Sequence, residues 1–218
     1  MARAASVLRV RLSAAVNEPA DPHYFSAAPA VASARREVTV ELRDGPLRFA
    51  TDRGVFSHGR LDTGTAVLLR EERPLPTAGD LLDLGCGAGP IALTMARRRP
   101  GSTVWAVDVN ERAVELCAAN AAALGLANVR AALPDAVPDD VQFAAIWSNP
   151  PIRVGKGALH DLLLAWLPRL GPTGVATLVV NRNLGADSLA TWLAQQGYAV
   201  SRIASRKGYR LLEVRRVA

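Results

Sequence analysis

The chain has 218 residues, half of them hydrophobic, which is enough for one sizeable core and too little for two full domains. It carries 26 lysines and arginines against 20 aspartates and glutamates, a net charge of +6 that favours an acidic partner such as nucleic acid. The sequence has no apolar run near the roughly 18 residues of a membrane span, so we expect no membrane contact. Cys86 and Cys117 lack the spacing of a metal site, so we expect no metal and a reducing, cytoplasmic location.

Residues 1–75 are predicted to form a small N-terminal extension of strands, loops and one helix. Its predicted elements are strands over Val7–Leu12, Glu37–Arg43 and Leu47–Ala50 and a helix over Asp62–Glu71. Asp44-Gly45 is a hairpin turn signal, and Asp62 or Thr63 stands near the N-cap of the helix. The first 17 residues lack acids and are faintly similar to a transit peptide, but the period-two alternation over Val7–Leu12 favours a strand.

Residues 76–218 alternate between buried strands and helices. The predicted strands are Asp80–Leu84, Val104–Val107, Val129–Leu133, Phe143–Trp147, Val175–Val180, Ala199–Ala204 and Tyr209–Val214, and the predicted helices are Pro90–Arg99, Glu111–Leu124, Gly157–Leu167 and Ala186–Gln195. This alternation predicts an α/β fold with a doubly wound, mostly parallel seven-stranded sheet. The turn between the last two strands is too short for a crossover, so the last strand must be antiparallel.

A glycine-rich turn joins the first predicted strand of this domain to its first helix. Its sequence is Asp83-Leu84-Gly85-Cys86-Gly87-Ala88-Gly89, in which glycines let the backbone approach a ligand and free N–H groups open the helix. The spacing differs from the Gly-x-Gly-x-x-Gly of dinucleotide sites. A carboxylate at Asp83 would repel a pyrophosphate and attract an ammonium group, which S-adenosylmethionine carries.

Two further acids follow the next two strands. Asp108 ends the second strand, where a carboxylate can accept both ribose hydroxyls. Asp135-Ala136 follows the third strand and is placed to reach an adenine amino group. A single acid at such a position is a solvated loop residue or a helix cap about as often as it is a ligand-binding residue. Three acids at three successive strand ends, beside a glycine turn, favour a ligand site.

From Gly79 to about Leu212 the sequence resembles class I S-adenosylmethionine-dependent methyltransferases. The resemblance implies a Rossmann-like methyltransferase fold with S-adenosylmethionine as cofactor. It also implies cofactor contacts from Asp83, Gly85, Cys86, Gly87 and Gly89 at the methionine end, from Asp108 with Val109 at the ribose, and from Asp135 with Ala136 at the adenine.

Asn149-Pro150-Pro151-Ile152 follows the fourth strand, where the ligand crevice of an open α/β sheet lies. The prolines remove two N–H donors and leave carbonyl acceptors beside the Asn149 side-chain oxygen. Two acceptors that bind the hydrogens of a planar amino group favour a pyramidal nitrogen whose lone pair can attack a methyl carbon. We therefore expect Asn149 and Pro150 to be catalytic. The motif resembles the Asn/Asp-Pro-Pro-aromatic signature of amino methyltransferases, with Ile152 in place of the aromatic residue that would stack on a base.

Three further stretches narrow the resemblance to the methyltransferase small domain group, which includes ribosomal RNA guanine-N2 methyltransferases. They are His23-Tyr24-Phe25-Ser26, Gly54-Val55-Phe56-Ser57 with Arg60-Leu61-Asp62-x-Gly64-Thr65, and Lys207-Gly208-Tyr209-Arg210. By this resemblance Phe56 and Thr65 help to close the cofactor site. Many members carry a second, degenerate methyltransferase-like half that this sequence lacks.

The C-terminal stretch from Ser201 to Ala218 holds six basic residues against one acid, which is +5. Biased codon usage would also produce an arginine-rich chain, but it does not explain this clustering. The residues expected to bind substrate are Pro151, Ile152, Arg153, Lys156, Arg206, Lys207 and Arg210, with the basic ones on phosphates. The predicted protein is thus a monomeric RNA methyltransferase that acts on N2 of a guanine in ribosomal RNA. A protein glutamine methyltransferase and an RNA-binding module with a relict cofactor pocket are the alternatives.

Overall fold

The computed structural model of the chain describes residues 10–11, 31–71, 73–152 and 155–217. Its strands are β1 (Val10–Arg11), β2 (Arg36–Leu42), β3 (Gly45–Thr51), β4 (Asp80–Leu84), β5 (Val104–Val107), β6 (Val129–Ala132), β7 (Phe143–Ser148), β8 (Leu170–Asn181), β9 (Tyr198–Arg206) and β10 (Tyr209–Arg216). Its helices are α1 (Thr63–Arg70), α2 (Pro90–Arg98), α3 (Glu111–Ala123), α4 (Lys156–Trp166) and α5 (Ala186–Gln195). Among these residues, no helix is both long and apolar enough to cross a membrane.

A seven-stranded sheet in the order β6-β5-β4-β7-β8-β10-β9 forms the centre of the molecule. The first five of these strands run parallel, and β10 is antiparallel to both of its neighbours. The predicted doubly wound sheet with an antiparallel last strand is therefore confirmed. Because parallel strands end at one edge, the segments after Leu84, Val107, Ala132 and Ser148 meet there, and this edge carries the candidate site.

The extension forms a second, three-stranded sheet in the order β1-β2-β3. Val10 pairs with Val40, which places part of the predicted Val7–Leu12 strand, while the rest of that stretch and His23-Tyr24-Phe25-Ser26 lie outside the described residues. Buried side chains of β3 and α1, such as Phe49 and Leu68, belong to the same hydrophobic cluster as Leu93 of α2. The division of the chain into two parts at residue 75 stays a prediction, but residues before and after it share one hydrophobic core.

The largest departure from the predicted element bounds is in β8, which begins at Leu170 and not at Val175. Leu170 pairs with Phe143 and Val175 with Ala145, so the register shifts between these pairs. Gly174 lies inside this irregular stretch, where a Cβ atom would stand 2.6 Å from the carbonyl oxygen of Phe143. The glycines that allow the close approach also remove the apolar pattern by which a strand is recognised in sequence.

Candidate active site

The glycine turn follows β4 as predicted. Gly85, Gly87 and Gly89 all have positive φ, at 79°, 52° and 89°. A Cβ atom at Gly85 would meet nothing within 4 Å, so the backbone at this glycine is open to a ligand. Gly89 then caps α2, and the Gly85 amide donates to the carbonyl of Val107 at 2.8 Å, which holds the turn against the end of β5.

Asp83 is fully buried below this turn. Its Oδ2 accepts from the Ala92 amide in α2 at 2.9 Å, while its Oδ1 has no hydrogen-bond partner among the described residues. Burial raises the pKa of Asp83 to about 8; the Ala92 hydrogen bond opposes this rise and the nearby Asp108 charge adds to it. A buried carboxylate with one unused oxygen fits a cationic ligand group, which would stabilise its charged form.

Asp108 follows β5, and backbone amides hold both of its oxygens. Gly87 donates to Oδ2 at 2.9 Å and Asn110 donates to Oδ1 at 3.0 Å. Burial raises the pKa of Asp108, and these amide hydrogen bonds partly oppose the rise. Each carboxylate oxygen keeps acceptor capacity, so two hydroxyl groups of a ligand can still donate to this side chain.

A loop between β3 and α1 covers the glycine turn. Asn110, the N-cap of α3, donates from Nδ2 to the Gly54 carbonyl at 2.7 Å and so ties the loop to the helix. Val55 is fully buried, whereas the Phe56 side chain is 46% exposed. The Cβ of Phe56 lies 3.9 Å from the position of a Cβ on Gly87, which places this aromatic residue next to the turn. Its closing role stays a prediction.

The side chain of Asn149 is oriented by two residues of the extension. Its Nδ2 donates to Asp62 Oδ2 at 2.7 Å and to Thr65 Oγ1 at 3.1 Å. Its Oδ1 accepts no hydrogen bond from the described part of the chain and lies 3.1 Å from the position of a Cβ on Gly64. The amide oxygen is therefore available to a ligand, and its role as an acceptor stays a prediction.

The adjacent prolines leave a second acceptor. Pro150 is buried, and its carbonyl oxygen accepts from the Ile152 amide at 2.9 Å, which leaves one lone pair of this oxygen unused. Ile152 is half-buried and packs against the hydrophobic cluster on the α4 side of the sheet. It therefore offers part of an apolar surface next to Pro151.

Some of the predicted site residues line a cleft whose atom-free space is about 410 Å³, part of it open to solvent. Five of them line it together, namely Phe56, Thr65, Gly85, Cys86 and Asn149. A hydrogen bond with Cys117 and burial raise the pKa of the Cys86 thiol well above its usual range, so Cys86 supplies a neutral wall. Asp62 and Arg60 also line the cleft, although the sequence analysis assigned neither a role in the site.

The other predicted cofactor residues are not among those that line this cleft. Asp83, Gly87, Gly89 and Asp108 lie at or beside the glycine turn, and the rest lie further along the edge of the sheet. Asp135 and Ala136 form an exposed 3-10 turn after β6, and Val109 is 44% exposed after β5. They stand at the carboxyl edge of the sheet, on the side of Asp108 away from Asn149, because β6 lies beyond β5 in the strand order. A ligand reaching them would extend from the glycine turn across the end of β5.

The turn between β9 and β10 lies at the same edge of the sheet as the cleft. Tyr209 pairs with Asn181 at the end of β8, and the Tyr209 ring lies 2.9 Å from the position of a Cβ on Gly64. Lys207 is exposed at the tip of this turn. The antiparallel pairing therefore brings the basic turn to the site, as the sequence analysis expected.

Two of the predicted phosphate-binding arginines have carboxylate partners. Arg206 pairs with Glu71 and is 60% exposed, while Arg210 pairs with Asp187 and is only 14% exposed. Arg153 lies outside the described residues, and Lys156 is exposed at the start of α4. Lys207 and Lys156 are thus the exposed cations of this set without an ion pair in the described ranges.

The fold and site define an S-adenosylmethionine-dependent methyltransferase, with a glycine turn, acids after β4 and β5, and Asn-Pro-Pro after β7. Residues 46–213 match the family model described as the methyltransferase small domain, and the chain belongs to this family. Among the described residues there is no group of His, Cys, Asp and Glu that could hold a metal.

Individual relatives agree with this assignment. The chain is 35% identical to YbxB of Bacillus subtilis, described as uncharacterized, over 89% of this chain and 98% of that protein. It is 37% identical to the ribosomal RNA small subunit methyltransferase C of Pseudomonas aeruginosa over 83% of this chain, but it spans only 52% of that protein. A solved structure is also similar, that of the T. thermophilus 16S rRNA N2 G1207 methyltransferase RsmC in complex with AdoMet and guanosine. It superposes with a TM-score of 0.70 and 24% sequence identity, over 87% of this chain and 52% of that one. This similarity is one of fold.

Proposed function

We propose that this protein transfers the methyl group of S-adenosylmethionine to an exocyclic amino group of a base in RNA, namely N2 of a guanine in ribosomal RNA. The observation that carries the proposal is the orientation of Asn149. Its amide nitrogen is held by Asp62 and Thr65, so its oxygen is the atom left to accept a hydrogen from a substrate amino group.

The chemistry follows from the acceptors around the cleft. S-adenosylmethionine, when bound, supplies a methyl group on a positively charged sulfur. Asn149 Oδ1 and the carbonyl oxygen of Pro150 accept the two hydrogens of the target amino group and direct its lone pair at the methyl carbon. A nitrogen–carbon bond forms, the carbon–sulfur bond breaks with its electron pair going to sulfur, and the charged nitrogen then loses a proton to water. Positioning supplies most of the rate, since effective molarities can reach about 10⁵ M or more.

Charge supports RNA as the partner. The net charge is +6, and the exposed Lys207 stands at the edge of the sheet that carries the cleft. Phosphate contacts supply much of the affinity of such complexes. The names of the Pseudomonas and T. thermophilus relatives place ribosomal RNA among the substrates of similar proteins. A cytoplasmic, monomeric enzyme that contacts neither membrane nor metal fits the same proposal.

The half-length match with these relatives limits what they imply for substrate choice. Their remaining half has no counterpart in this chain, which spans 52% of each. Within this chain, we propose that the cleft and the basic residues around it contribute to recognition of the target. Ile152 disfavours the protein glutamine alternative, whose related motif ends in tyrosine.

The test is transfer of tritiated methyl groups from S-adenosylmethionine. Ribosomal subunits, extracted ribosomal RNA and a release factor are offered in parallel, and the labelled RNA is digested to nucleosides. We expect label in N2-methylguanosine with wild-type enzyme and at least about 10²-fold less with Asn149→Ala, whose affinity for the cofactor should stay within a few-fold of wild type. Label in the release factor would replace the proposal with the glutamine methyltransferase, and cofactor binding with no transfer to any acceptor would favour the relict binding module.

A further inference from the structure

We propose that Asp62 is a positioning residue for methyl transfer, which orients and polarises the side-chain amide of Asn149. The inference rests on the acceptor role proposed for Asn149. Asp62 is the N-cap of α1, and 87 residues separate it from Asn149 in sequence. It lines the cleft but does not belong to the Asn-Pro-Pro motif.

The orientation of the Asn149 amide is dictated by its partners. Asp62 Oδ2 already accepts from the amides of Gly64 at 2.7 Å and Thr65 at 3.1 Å, so it is bound as an acceptor. The Asn149 atom that faces it at 2.7 Å must therefore be the nitrogen, which donates. The opposite amide orientation would place two oxygens in contact. Asp62 thus determines that the oxygen of Asn149 faces the substrate.

The charge of Asp62 adds to this geometric effect. A hydrogen bond from an amide N–H₂ group to a carboxylate is charge-assisted, and bonds in a chain polarise one another. Electron density moves toward Oδ1 of Asn149, which becomes a better acceptor when positive charge develops on the substrate nitrogen. This arrangement also explains why asparagine stands at position 149 although the family signature allows aspartate: a second carboxylate at that position would face the carboxylate of Asp62.

The packing around Asp62 makes its position rigid. A Cβ atom on Gly64 would lie 2.9 Å from the Tyr209 ring and 3.0 Å from Asp62 Oδ2, so side chains already fill the space around the start of α1. Thr65 is buried and accepts the second amide hydrogen of Asn149. The carboxylate is therefore attached to a helix whose first turn cannot shift without displacing neighbouring side chains.

The experiment compares single-turnover methyl transfer in four proteins: wild type, Asp62→Asn, Asn149→Asp and the double variant. The acceptor is whichever of ribosomal subunits and release factor the wild-type enzyme methylates. Asparagine caps helices as well as aspartate does, so Asp62→Asn preserves α1 and removes the charge. We expect Asp62→Asn to lower the rate about tenfold and Asn149→Asp to lower it at least about 10²-fold, with substrate affinity within a few-fold of wild type.

The decisive result is whether Asp62→Asn lowers or raises the rate of methyl transfer, first in the wild-type protein and then in the Asn149→Asp variant. In the Asn149→Asp background the same change removes the repulsion between two carboxylates, so it should raise the rate about tenfold. A purely structural role for Asp62 would lower the rate in both backgrounds. A loss in both, or no effect in either, overturns the inference.

Control variants separate this proposal from the proposed function. Asp139→Asn makes the same change at an exposed site in the loop before β7 and should leave the rate unchanged. Thr65→Ser keeps the hydroxyl acceptor and should be faster than Thr65→Val. If Asn149→Ala turns over like wild type, the acceptor role in the proposed function has failed. If Asn149→Ala is inactive but the Asp62 variants behave like wild type, only the positioning role has failed.

Discussion

The Sγ of Cys117 in α3 lies 2.5 Å from the position that a Cβ atom on Gly89 would occupy. Cys117 is fully buried, and its own Cβ stands 3.3 Å from the same point, so a tight contact would remain even if the sulfur rotated away. Close packing of α3 against the end of the glycine turn therefore requires glycine at position 89, in addition to the requirement set by its φ of 89°.

Gly89→Ala should destabilise the protein more than Gly85→Ala. Both glycines have positive φ, which costs a side chain about 1–3 kcal/mol. Only Gly89 adds a steric clash, because the Cβ at Gly85 meets nothing within 4 Å. We expect a further loss of about 1–3 kcal/mol in the free energy of unfolding, measured by urea denaturation without cofactor. Adding Cys117→Ala should recover part of this further loss, and equal losses for the two glycine variants would contradict the packing argument.

Cofactor affinity should rise with pH because of Asp83. Burial raises the pKa of this carboxyl to about 8, so in the free protein at neutral pH it is largely protonated. A cationic ligand group favours the charged form, and binding must release the proton. Affinity for S-adenosylmethionine should therefore increase up to about tenfold per pH unit from pH 6 to 7.5, below the range in which an α-amino group loses its charge. Calorimetry across this range tests the slope, which Asp83→Asn should flatten.

The same carboxyl should make the free protein less stable as pH rises. Its pKa lies above that of the unfolded chain, so the folded state holds more protons between about pH 4 and 8, and the free energy of unfolding falls across this window. Thermal unfolding of the cofactor-free protein tests this trend against Asp83→Asn, which lacks the titrating group. A wild-type stability that rises from pH 5 to 8 relative to the variant would contradict the raised pKa.

Asp108→Ala should weaken the binding of S-adenosylmethionine by about 1–3 kcal/mol, the scale for the loss of a charge-assisted hydrogen-bond partner. The substitution also removes the acceptor for the Gly87 amide at 2.9 Å, which holds the glycine turn. Calorimetric titration with the cofactor measures the loss, and Asp135→Ala reports the weaker contact predicted at the adenine. Comparable affinity of the wild-type protein for NAD would show that the turn does not select the predicted cofactor.

The basic turn should bind the RNA backbone without reading its sequence. Changing Arg206 and Lys207 to alanine should weaken matched and mismatched RNA alike and should flatten the salt dependence by about one unit per lost contact. Arg210 is largely buried against Asp187, so Arg210→Ala should change the slope less. RNA affinity measured against salt concentration distinguishes these variants. If the salt dependence of RNA affinity is unchanged in the double variant, the turn is a solvated surface that does not contact RNA.

The order of the elements and the residue types at the carboxyl edge of the sheet follow from the amino-acid sequence alone. The bounds of β4, β5 and α5 agree with the prediction to the residue, because buried strands and helices leave periodic patterns and turn signals within a few residues. The glycine turn was equally readable, since its residue types reflect a local backbone requirement. The start of β8 was not readable, because glycines at the register shift remove the apolar pattern.

Which side chains meet at that edge depends on the packing of distant segments. Asp62 was recognisable as a helix cap, but its contact with Asn149 spans 87 residues and depends on how α1 packs against β8 and β10. Likewise, the packing places Glu71 beside Arg206 and Asp187 beside Arg210, partners that the sequence did not predict. Local periodicity reflects the backbone of each segment, whereas such partners are chosen by the register and packing of segments far apart in the chain, which no local pattern records.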